Sequence, residues 1–334
     1  MNRLGLRVPN EIGGHYSMDA VVDLASRADG LGYESVWVPE SAARNSLMVL
    51  SRLATVTDSV RLGTGIVNVF SRSPALLAMS AATLDEFSDG RAMLGIGASS
   101  RPLIENWHAM EFDRPLRRIR ETIEIVDAAL SDPRVDYDGK VFRVDDYPNR
   151  LETVDGDVPI YNAALGPRNR ELTGRFADGW LPIHLPLPTV SEQIAGVREA
   201  AADADRDPER VTVAPYIVTC ASADDPEGAR EVVSGVLAFY IGAMEYYAGV
   251  FRRFGYEETV DRIVDAWAED DRGGASETVA EGLLDEVAIA GTPDYARRRL
   301  REYRDAGVDV PIVALPAAAP RKLAVSTVEA LGPG

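Results

Sequence analysis

One turn in the sequence carries residues that suit the binding of an anion. The segment Ala164-Leu165-Gly166-Pro167-Arg168-Asn169 joins an apolar run to a helix-like stretch. A glycine-containing turn of this kind points free backbone amides, and the positive end of the helix dipole, at an anion. Arg168 adds a positive charge, so a phosphate fits there. Taken alone, such a turn is most often only structural.

The three histidines are the other side chains that suit acid–base chemistry near neutral pH. His15 follows the first apolar run, His108 stands within Asn106-Trp107-His108-Ala109-Met110, and His184 comes directly after the sixth apolar run. Each could face the same end of the fold, although a lone histidine is more often structural. No group of histidine, cysteine and carboxylate residues has metal-ligand spacing, so we expect no metal ion.

The elements that must position these residues alternate between helix-like stretches and apolar runs. Three helix-like stretches end in Ala28-Asp29-Gly30, Ala177-Asp178-Gly179 and Asp305-Ala306-Gly307, and an apolar run follows each of them. Glycine at such a point ends a helix, and the continuous apolar run predicts a strand covered on both faces. This alternation is typical of βαβ units with a parallel sheet.

Eight strands are predicted, a number that favours a closed (β/α)8 TIM barrel of one α/β domain spanning residues 1–334. They lie near residues 3–9, 34–38, 60–66, 91–97, 158–163, 179–183, 211–219 and 310–315. Residues 134–145 are predicted to form a hairpin that turns at Asp138-Gly139. Residues 225–290 are predicted to form a helical insertion between strands 7 and 8. The active site of such a barrel lies at the C-terminal ends of the strands.

Composition narrows the class of protein. The 334 residues are 46% hydrophobic and 26% charged, which is ordinary for a globular chain. No run approaches a membrane span and the first residues lack signal-peptide features, so we expect a cytoplasmic protein. A single cysteine, Cys220, excludes an internal disulfide. The formal net charge of −18 argues against nucleic acid or an anionic membrane as a partner.

Three segments resemble the luciferase-like superfamily. They are the stretch from Arg61 to Gly97, the stretch from Tyr161 to Trp180, and Ala288-Ile289-Ala290-Gly291-Thr292-Pro293-Asp294. The likeness covers nearly the whole chain and is greatest to the coenzyme F420-dependent branch, which includes methylene-tetrahydromethanopterin reductases. It implies a bacterial-luciferase-like barrel and an oxidoreductase.

The resemblance also implies where the cofactor binds. It implies a bulge at Gly65-Ile66, with a non-prolyl cis peptide bond behind the deazaflavin ring, and it places Glu40 where the family usually has aspartate. The candidate cofactor-binding residues are Glu40, Gly65, Ile66, Asn68, Ala98, Ser99, Leu165, Gly166, Arg168 and Asn169. The candidate catalytic residues are Glu40, His108 and His184.

Three departures from the family pattern bear on the substrate. Ser41 and Ser100 stand where the F420-dependent sugar-phosphate dehydrogenases carry a histidine and a glutamate, which argues against that substrate class. Arg7 stands in strand one where the methylene-tetrahydromethanopterin reductases usually carry an acidic residue. This weakens the case for a pterin substrate.

The function predicted from these features is hydride transfer between coenzyme F420 and a small organic substrate, with a methylene-tetrahydropterin as one candidate. The alternative is an FMN-dependent luciferase-like monooxygenase, since the same barrel serves both cofactors. Reduced flavin reacts with dioxygen, whereas the deazaflavin acts as a hydride carrier. A third reading is a non-catalytic flavin- or deazaflavin-binding protein. We also expect a homo-oligomer, either a dimer or a tetramer.

The excess of acidic over basic residues predicts that stability depends on salt. Only Lys140 and Lys322 are lysines among 35 basic residues, beside 53 acidic ones, a balance typical of a halophile. Because the Debye length falls to about 3 Å at molar salt, repulsion between surface carboxylates is then screened. The thermal unfolding midpoint should therefore rise between low and molar KCl. A flat or falling midpoint would point instead to arginine-rich codon usage.

Overall fold

Most strands of the protein join one parallel sheet. The computed structural model describes residues 3–10, 16–154 and 157–333. In chain order the strands are β1 (Gly5–Arg7), β2 (Ser35–Val38), β3 (Arg61–Thr64), β4 (Val67–Asn68), β5 (Ala92–Gly97), β6 (Arg134–Asp138), β7 (Arg143–Pro148), β8 (Ile160–Asn162), β9 (Gly179–Trp180), β10 (Thr212–Val213), β11 (Tyr216–Ala221), β12 (Ala288–Gly291) and β13 (Ile312–Ala314). Only β6 and β7 form a separate, antiparallel pair among these strands.

Helices separate the strands and begin at residues that favour a helix start. They are α1 (Met18–Gly30), α2 (Ser46–Ala54), α3 (Pro74–Ser88), α4 (Pro115–Ser131), α5 (Pro167–Phe176), α6 (Val190–Ala202), α7 (Pro226–Ala243), α8 (Glu245–Arg253), α9 (Glu257–Ala268), α10 (Arg272–Gly282), α11 (Leu284–Val287), α12 (Pro293–Asp305) and α13 (Arg321–Leu331). Ser17, Asn45 and Ser73 accept hydrogen bonds from the free amides of the first turns of α1, α2 and α3.

The parallel strands close into a ring, which confirms the predicted (β/α)8 barrel. The pairing runs from β1 through β2, β3, β5, β8 and β9 to β10, while β1 pairs on its other side with β13, and β13 with β11. β10 and β11 are two parts of one barrel strand, because β10 pairs with β9 and a bridge from Ile183 to Tyr216 continues that contact. The described strands therefore occupy eight positions around the barrel.

The segment between the last two barrel strands is helical, as predicted, but it ends earlier than predicted. Helices α7 to α11 pack around a core of their own that includes Leu237, Phe251 and Ile263. Residues 288–290, assigned to the insertion from the sequence, belong instead to β12, a further parallel strand paired with β11 outside the ring. All four residues of β12 are buried, so pairing with β11 satisfies backbone groups that would otherwise lie unpaired in the core.

The hairpin formed by β6 and β7 is longer than predicted and turns at a different point. It extends to Pro148, and its turn spans residues 139–142, where the Gly139 amide donates to the Phe142 carbonyl. The buried Glu121 carboxylate accepts hydrogen bonds from the amides of Lys140, Val141 and Phe142. This carboxylate on α4 therefore determines where the chain turns.

No single helix in the described ranges is long and apolar enough to cross a membrane. Only α7 and α8 taken together reach that length and composition, and they are bent by 102° at the break between them.

Large side chains fill the barrel interior and require glycine opposite them. Trp37, Tyr161 and Tyr216 lie inside the ring, with the Trp37 ring 5.0 Å from Tyr161 and 6.4 Å from Tyr216 in edge-to-face contacts. A Cβ atom on Gly63 would collide with the Trp37 ring. Small and large residues thus alternate across the barrel, which keeps the interior closely packed.

Gly95 in β5 is predicted to be intolerant of any side chain. A Cβ atom there would collide with the carbonyl oxygen of Thr64, which is backbone and cannot turn away. Gly95→Ala should lower the free energy of unfolding by about 3 kcal/mol, measured by urea denaturation. Gly196→Ala on α6 is the matched control, because nothing lies within 4 Å of the added methyl group. Equal stability of the two variants would contradict this account of β5.

Candidate active site

A bulge interrupts the third barrel strand at its C-terminal end. Gly63 pairs with Met93 and Val67 with Ile96, so residues 64–66 hold one residue more than the opposite segment. The Thr64 hydroxyl donates to the Gly95 carbonyl (2.7 Å) and accepts from the Gly95 amide (2.8 Å). This side chain thereby replaces the ladder bonds that the extra residue displaces.

The bulge expected at Gly65-Ile66 is therefore present, but the cis peptide bond is not. No cis peptide bond occurs among the described residues, so this part of the prediction is wrong. A non-prolyl bond favours the trans form by about 3–4 kcal/mol. A Cβ atom on Gly65 would lie 2.8 Å from the Tyr216 hydroxyl and 3.0 Å from the Pro39 nitrogen, so glycine is needed for close packing.

The turn before α5 presents backbone amides that nothing in the described chain occupies. The amides of Leu165, Gly166 and Arg168 donate to no described acceptor, and Gly166 begins the helix without a side-chain cap. The Arg168 side chain is exposed and pairs with no described carboxylate. Asn169 differs, because its amide group accepts from Asn162 (3.0 Å) and donates to the Ala163 carbonyl (3.3 Å). Asn169 thus fastens the turn to β8.

Two further candidates lie side by side at the ends of β4 and β5. Asn68 pairs in register with Gly97, so it is adjacent to Ala98 and Ser99. Its side-chain oxygen Oδ1 accepts hydrogen bonds from the backbone amides of Phe70 and Ser71, which holds the following loop. Ser99 has a φ of 61° and turns the chain away after β5. The sheet therefore brings these three predicted residues together.

Glu40 is held by other protein groups. Its two carboxylate oxygens accept from the Arg72 guanidinium at 2.6 and 2.9 Å, and the second oxygen also accepts from the amide and hydroxyl of Ser46. The two side chains of this ion pair are only 12% and 10% exposed. A two-pronged pair of this kind fixes the orientation of both groups. The geometry suits a residue that positions the loops after β2 and β4, rather than a proton carrier.

The histidines lie in different surroundings. His15 falls outside the described residues. His108 follows a π-helix, Leu103–Trp107, in the loop after β5 and is half-buried. His184 is fully buried in an aromatic cage, with ring centroids 4.8 Å from Tyr240, 5.3 Å from Tyr247 and 5.8 Å from Phe251.

His184 is unusual in its protonation and its backbone. Burial, with a smaller contribution from the charge of Arg7, lowers its pKa to about 3, so the ring is neutral at physiological pH. Neither ring nitrogen has a hydrogen-bond partner in the described chain, and φ is 56°. A buried polar group without a partner costs about 1–3 kcal/mol, so it calls for a functional explanation.

A cavity of about 520 Å³ opens between the barrel mouth and α7. Its barrel wall is formed by Arg7, Ile183, Val218 and Ala314, at the ends of strands on the side away from the bulge. The wall from α7 is mainly apolar, and Glu231 adds a carboxylate on the exposed side of that helix. The arrangement suits a largely apolar molecule with one polar end.

Sequence reasoning missed Tyr216, which is buried inside the barrel with no described partner for its hydroxyl. It lies in the predicted strand 211–219, where alternate residues face the interior. That alternation could have indicated that Tyr216 faces the barrel interior. A tyrosine in an apolar run is, however, normally interpreted as a core-packing residue. Burial holds the pKa of the Tyr216 hydroxyl well above its ordinary value.

Comparison with known proteins identifies the family. The model of the luciferase-like monooxygenase family matches residues 3–310, and the chain belongs to this family. The 5,10-methylenetetrahydromethanopterin reductase of Archaeoglobus fulgidus is 30% identical over 325 residues, which cover 94% of each chain. A putative coenzyme F420-dependent oxidoreductase of Mycobacterium tuberculosis is 29% identical over 323 residues, which cover 87% of this chain and 89% of that one.

A solved structure agrees with these relatives. The coenzyme F420-dependent tetrahydromethanopterin reductase from Methanopyrus kandleri superposes with a TM-score of 0.85 at 25% identity, over 99% of this chain and 97% of that one. The predicted superfamily and its coenzyme F420-dependent branch are confirmed.

Because His184 is buried and neutral, we expect part of the loss of folding stability at acidic pH to come from this residue. Between pH 6.5 and 3 the unfolded histidine binds a proton that the folded one does not, so stability falls as the pH falls through this window. Relative to His184→Phe, which keeps a flat ring, the wild type should lose about 2 kcal/mol more of its unfolding free energy between pH 7 and pH 5. Urea titrations over that range measure the difference. Parallel curves for the two proteins would show that His184 is protonated in the folded state.

Proposed function

We propose that this chain is a coenzyme F420-dependent oxidoreductase that transfers a hydride between the deazaflavin and a small organic substrate. The observation that carries the proposal is the order of the strands. β3, β5 and β8 are neighbours in the barrel, so the bulge, the loop after β5 and the amide-rich turn form one continuous strip at the mouth. The cavity beside Arg7 lies on the opposite side. One strip suits a long cofactor, and the cavity suits a substrate.

The residues of this strip fit the coenzyme. The bulge at Gly65-Ile66 would lie behind the deazaflavin ring, and Asn68 and Ser99 would contact it from the adjacent loops. The amides of Leu165, Gly166 and Arg168 would hold its phosphate, with the Arg168 side chain adding charge. When bound, the coenzyme supplies a two-electron hydride carrier, and the protein binds, orients and shields it.

Two of the predicted cofactor residues are better described as positioning residues. Glu40 holds Arg72 and the start of α2, and Asn169 holds the turn against β8. Each would act on the coenzyme through the loop that it fixes. His108 stays a candidate for proton transfer at the exposed rim of the strip.

The two alternatives predicted from the sequence are less well supported. The relatives named above are F420-dependent or act on tetrahydromethanopterin, which favours the deazaflavin over FMN. A non-catalytic binding protein would have no use for the cavity on the side of the mouth opposite the cofactor strip. A cytoplasmic location, a homo-oligomeric state and a halophilic source stay predictions from the sequence.

The phosphate position is tested with Gly166→Asp. Gly166 has a φ of −81° and nothing lies within 4 Å of an added Cβ atom, so the variant should fold normally. Its carboxylate would lie beside the phosphate, and the affinity for coenzyme F420 should fall by at least about 100-fold, equivalent to about 2.7 kcal/mol. Titration by coenzyme fluorescence measures this.

Gly166→Ala is the matched control and should bind within about threefold of wild type, since it adds bulk without charge. Unchanged affinity in Gly166→Asp, with an intact circular dichroism spectrum, would move the phosphate elsewhere. The same titration with FMN tests the monooxygenase alternative. Tight FMN binding with substrate-stimulated oxygen uptake, and no binding of coenzyme F420, would replace the proposed function.

A further inference from the structure

A single positive charge lies in the wall of the cavity between the barrel mouth and α7. Of the described residues that line this cavity, Arg7 is the only basic one, and most of the others are apolar. The whole protein carries a net charge of −18, so an anionic ligand approaches against the overall field and needs a local cation to bind. Arg7 supplies that cation in the cavity wall.

The side chain of Arg7 leaves its strand on the inner face of the barrel. Arg7 pairs in register with Trp37 of β2 and Ala314 of β13, and both of these belong to the interior cluster. Its neighbour Leu6 belongs instead to the layer between sheet and helices, together with Leu24 of α1. Because successive side chains of a strand point to opposite faces, the guanidinium of Arg7 belongs to the inner face at the C-terminal end of β1.

Two hydrogen bonds to one backbone residue hold Arg7 in place. Nη1 of its guanidinium donates to the Leu315 carbonyl (3.1 Å), and the Leu315 amide donates to the Arg7 carbonyl (3.1 Å). Both ends of Arg7 are thus tied to the start of the loop after β13, whose residues 316–318 also line the cavity. A guanidinium carries several N–H groups in a planar fork, so it can bind a carboxylate while it keeps the bond to Leu315. A charge that is held in advance loses little freedom when a ligand binds.

The rest of the cavity fits the apolar body of a ligand. Its volume of about 520 Å³ lies in the range that encloses a small organic molecule. One wall is a face of α7 that includes Val232, Val236 and Phe239. Glu231, the acidic residue of the described lining, stands on the exposed side of the same helix. Its charge would repel a second carboxylate on that side, so a ligand with one acid group is favoured over a diacid.

We infer that the cavity binds an apolar molecule with one carboxylate, which Arg7 holds at the barrel wall while the apolar body lies along α7. The ligand class is that of a medium-chain monocarboxylic acid or a ring-bearing equivalent. The inference rests on the proposed function for one point, namely that the molecule held here is the substrate of the oxidoreductase. The carboxylate serves to hold and orient the molecule and takes no part in the hydride transfer.

The first test uses the wild type and needs no turnover. Octanoate, octanamide and octanedioate are titrated calorimetrically into the protein, with and without oxidised coenzyme F420. Octanoate should bind at least about tenfold more tightly than octanamide, the equivalent of one hydrogen bond to a charged group. It should bind at least about threefold more tightly than octanedioate, because Glu231 repels the second carboxylate. Equal affinity for octanoate and either of the other two compounds would overturn the inference.

The second test compares three variants in the same titration. Arg7→Met removes the charge and keeps an unbranched side chain, so octanoate affinity should fall at least about tenfold while octanamide affinity stays within about threefold. Arg7→Lys keeps the charge and should recover part of the octanoate affinity. Arg230→Met is the matched control, because Arg230 lies on α7, pairs with Asp285 and does not line the cavity. It should bind octanoate within about threefold of wild type, and an equal loss in Arg230→Met and Arg7→Met would contradict a specific role for Arg7. If Arg7→Met does not fold, the wild-type series decides alone.

Binding of the coenzyme separates the inference from the function on which it rests. A wild type that binds coenzyme F420 but neither octanoate nor hydrocinnamate would overturn the inference and leave the proposed function standing. A wild type that binds octanoate through Arg7 but does not bind coenzyme F420 would overturn the proposed function and leave the carboxylate site standing.

Discussion

The side chain of Thr64 makes the hydrogen bonds on which the barrel mouth depends. By donating to one backbone group of Gly95 and accepting from the other, it allows the third strand to hold an extra residue without leaving buried groups unpaired. The extra residue brings Gly65 against β2 and against the hydroxyl from β11. This close packing requires glycine at positions 65 and 95, because a methyl group at either position would collide with backbone atoms.

Strand order then divides the mouth into two unlike halves. The half formed by β3, β5 and β8 has loops held by the side-chain hydrogen bonds of Asn68 and Asn169. It also has several backbone amides for which the described part of the chain offers no acceptor. The half formed by β11, β13 and β1 is apolar apart from Arg7 and is covered by α7. The proposed positions of a long polar cofactor and of a mainly apolar substrate therefore lie on opposite sides of the mouth.

Local patterns explain why the barrel could be predicted from the sequence. Apolar runs are short-range signals and marked all eight barrel positions, and three of them follow a helix stop that ends in glycine. The turn at Gly166 was equally local, because a glycine and a proline at a helix start define it. β12 was missed because its four residues follow a helix directly and are too few to establish a period.

The site itself was less predictable, because its interactions join residues far apart in the chain. Glu40 was expected to serve the cofactor, yet its carboxylate pairs with Arg72, more than thirty positions away. Neither the partner nor its two-pronged geometry can be read from spacing. The same holds for Tyr216, whose surroundings come from the second and third barrel strands, and for the cage around His184, which comes from the helical insertion.

One wall of the cavity comes from a single helix, α7, and lies apart from the half of the mouth proposed for the cofactor. Val232, Gly235, Val236 and Phe239 all project from this one helix, whose segment is fastened to the barrel by the pairing of β12 with β11. A Cβ atom added at Gly235 would meet no other atom within 4 Å, so alanine there would narrow the cavity without a clash. Under the proposed function, the range of accepted substrates can thus diverge by changes on a single helical face, without changes in the half of the mouth proposed for the cofactor.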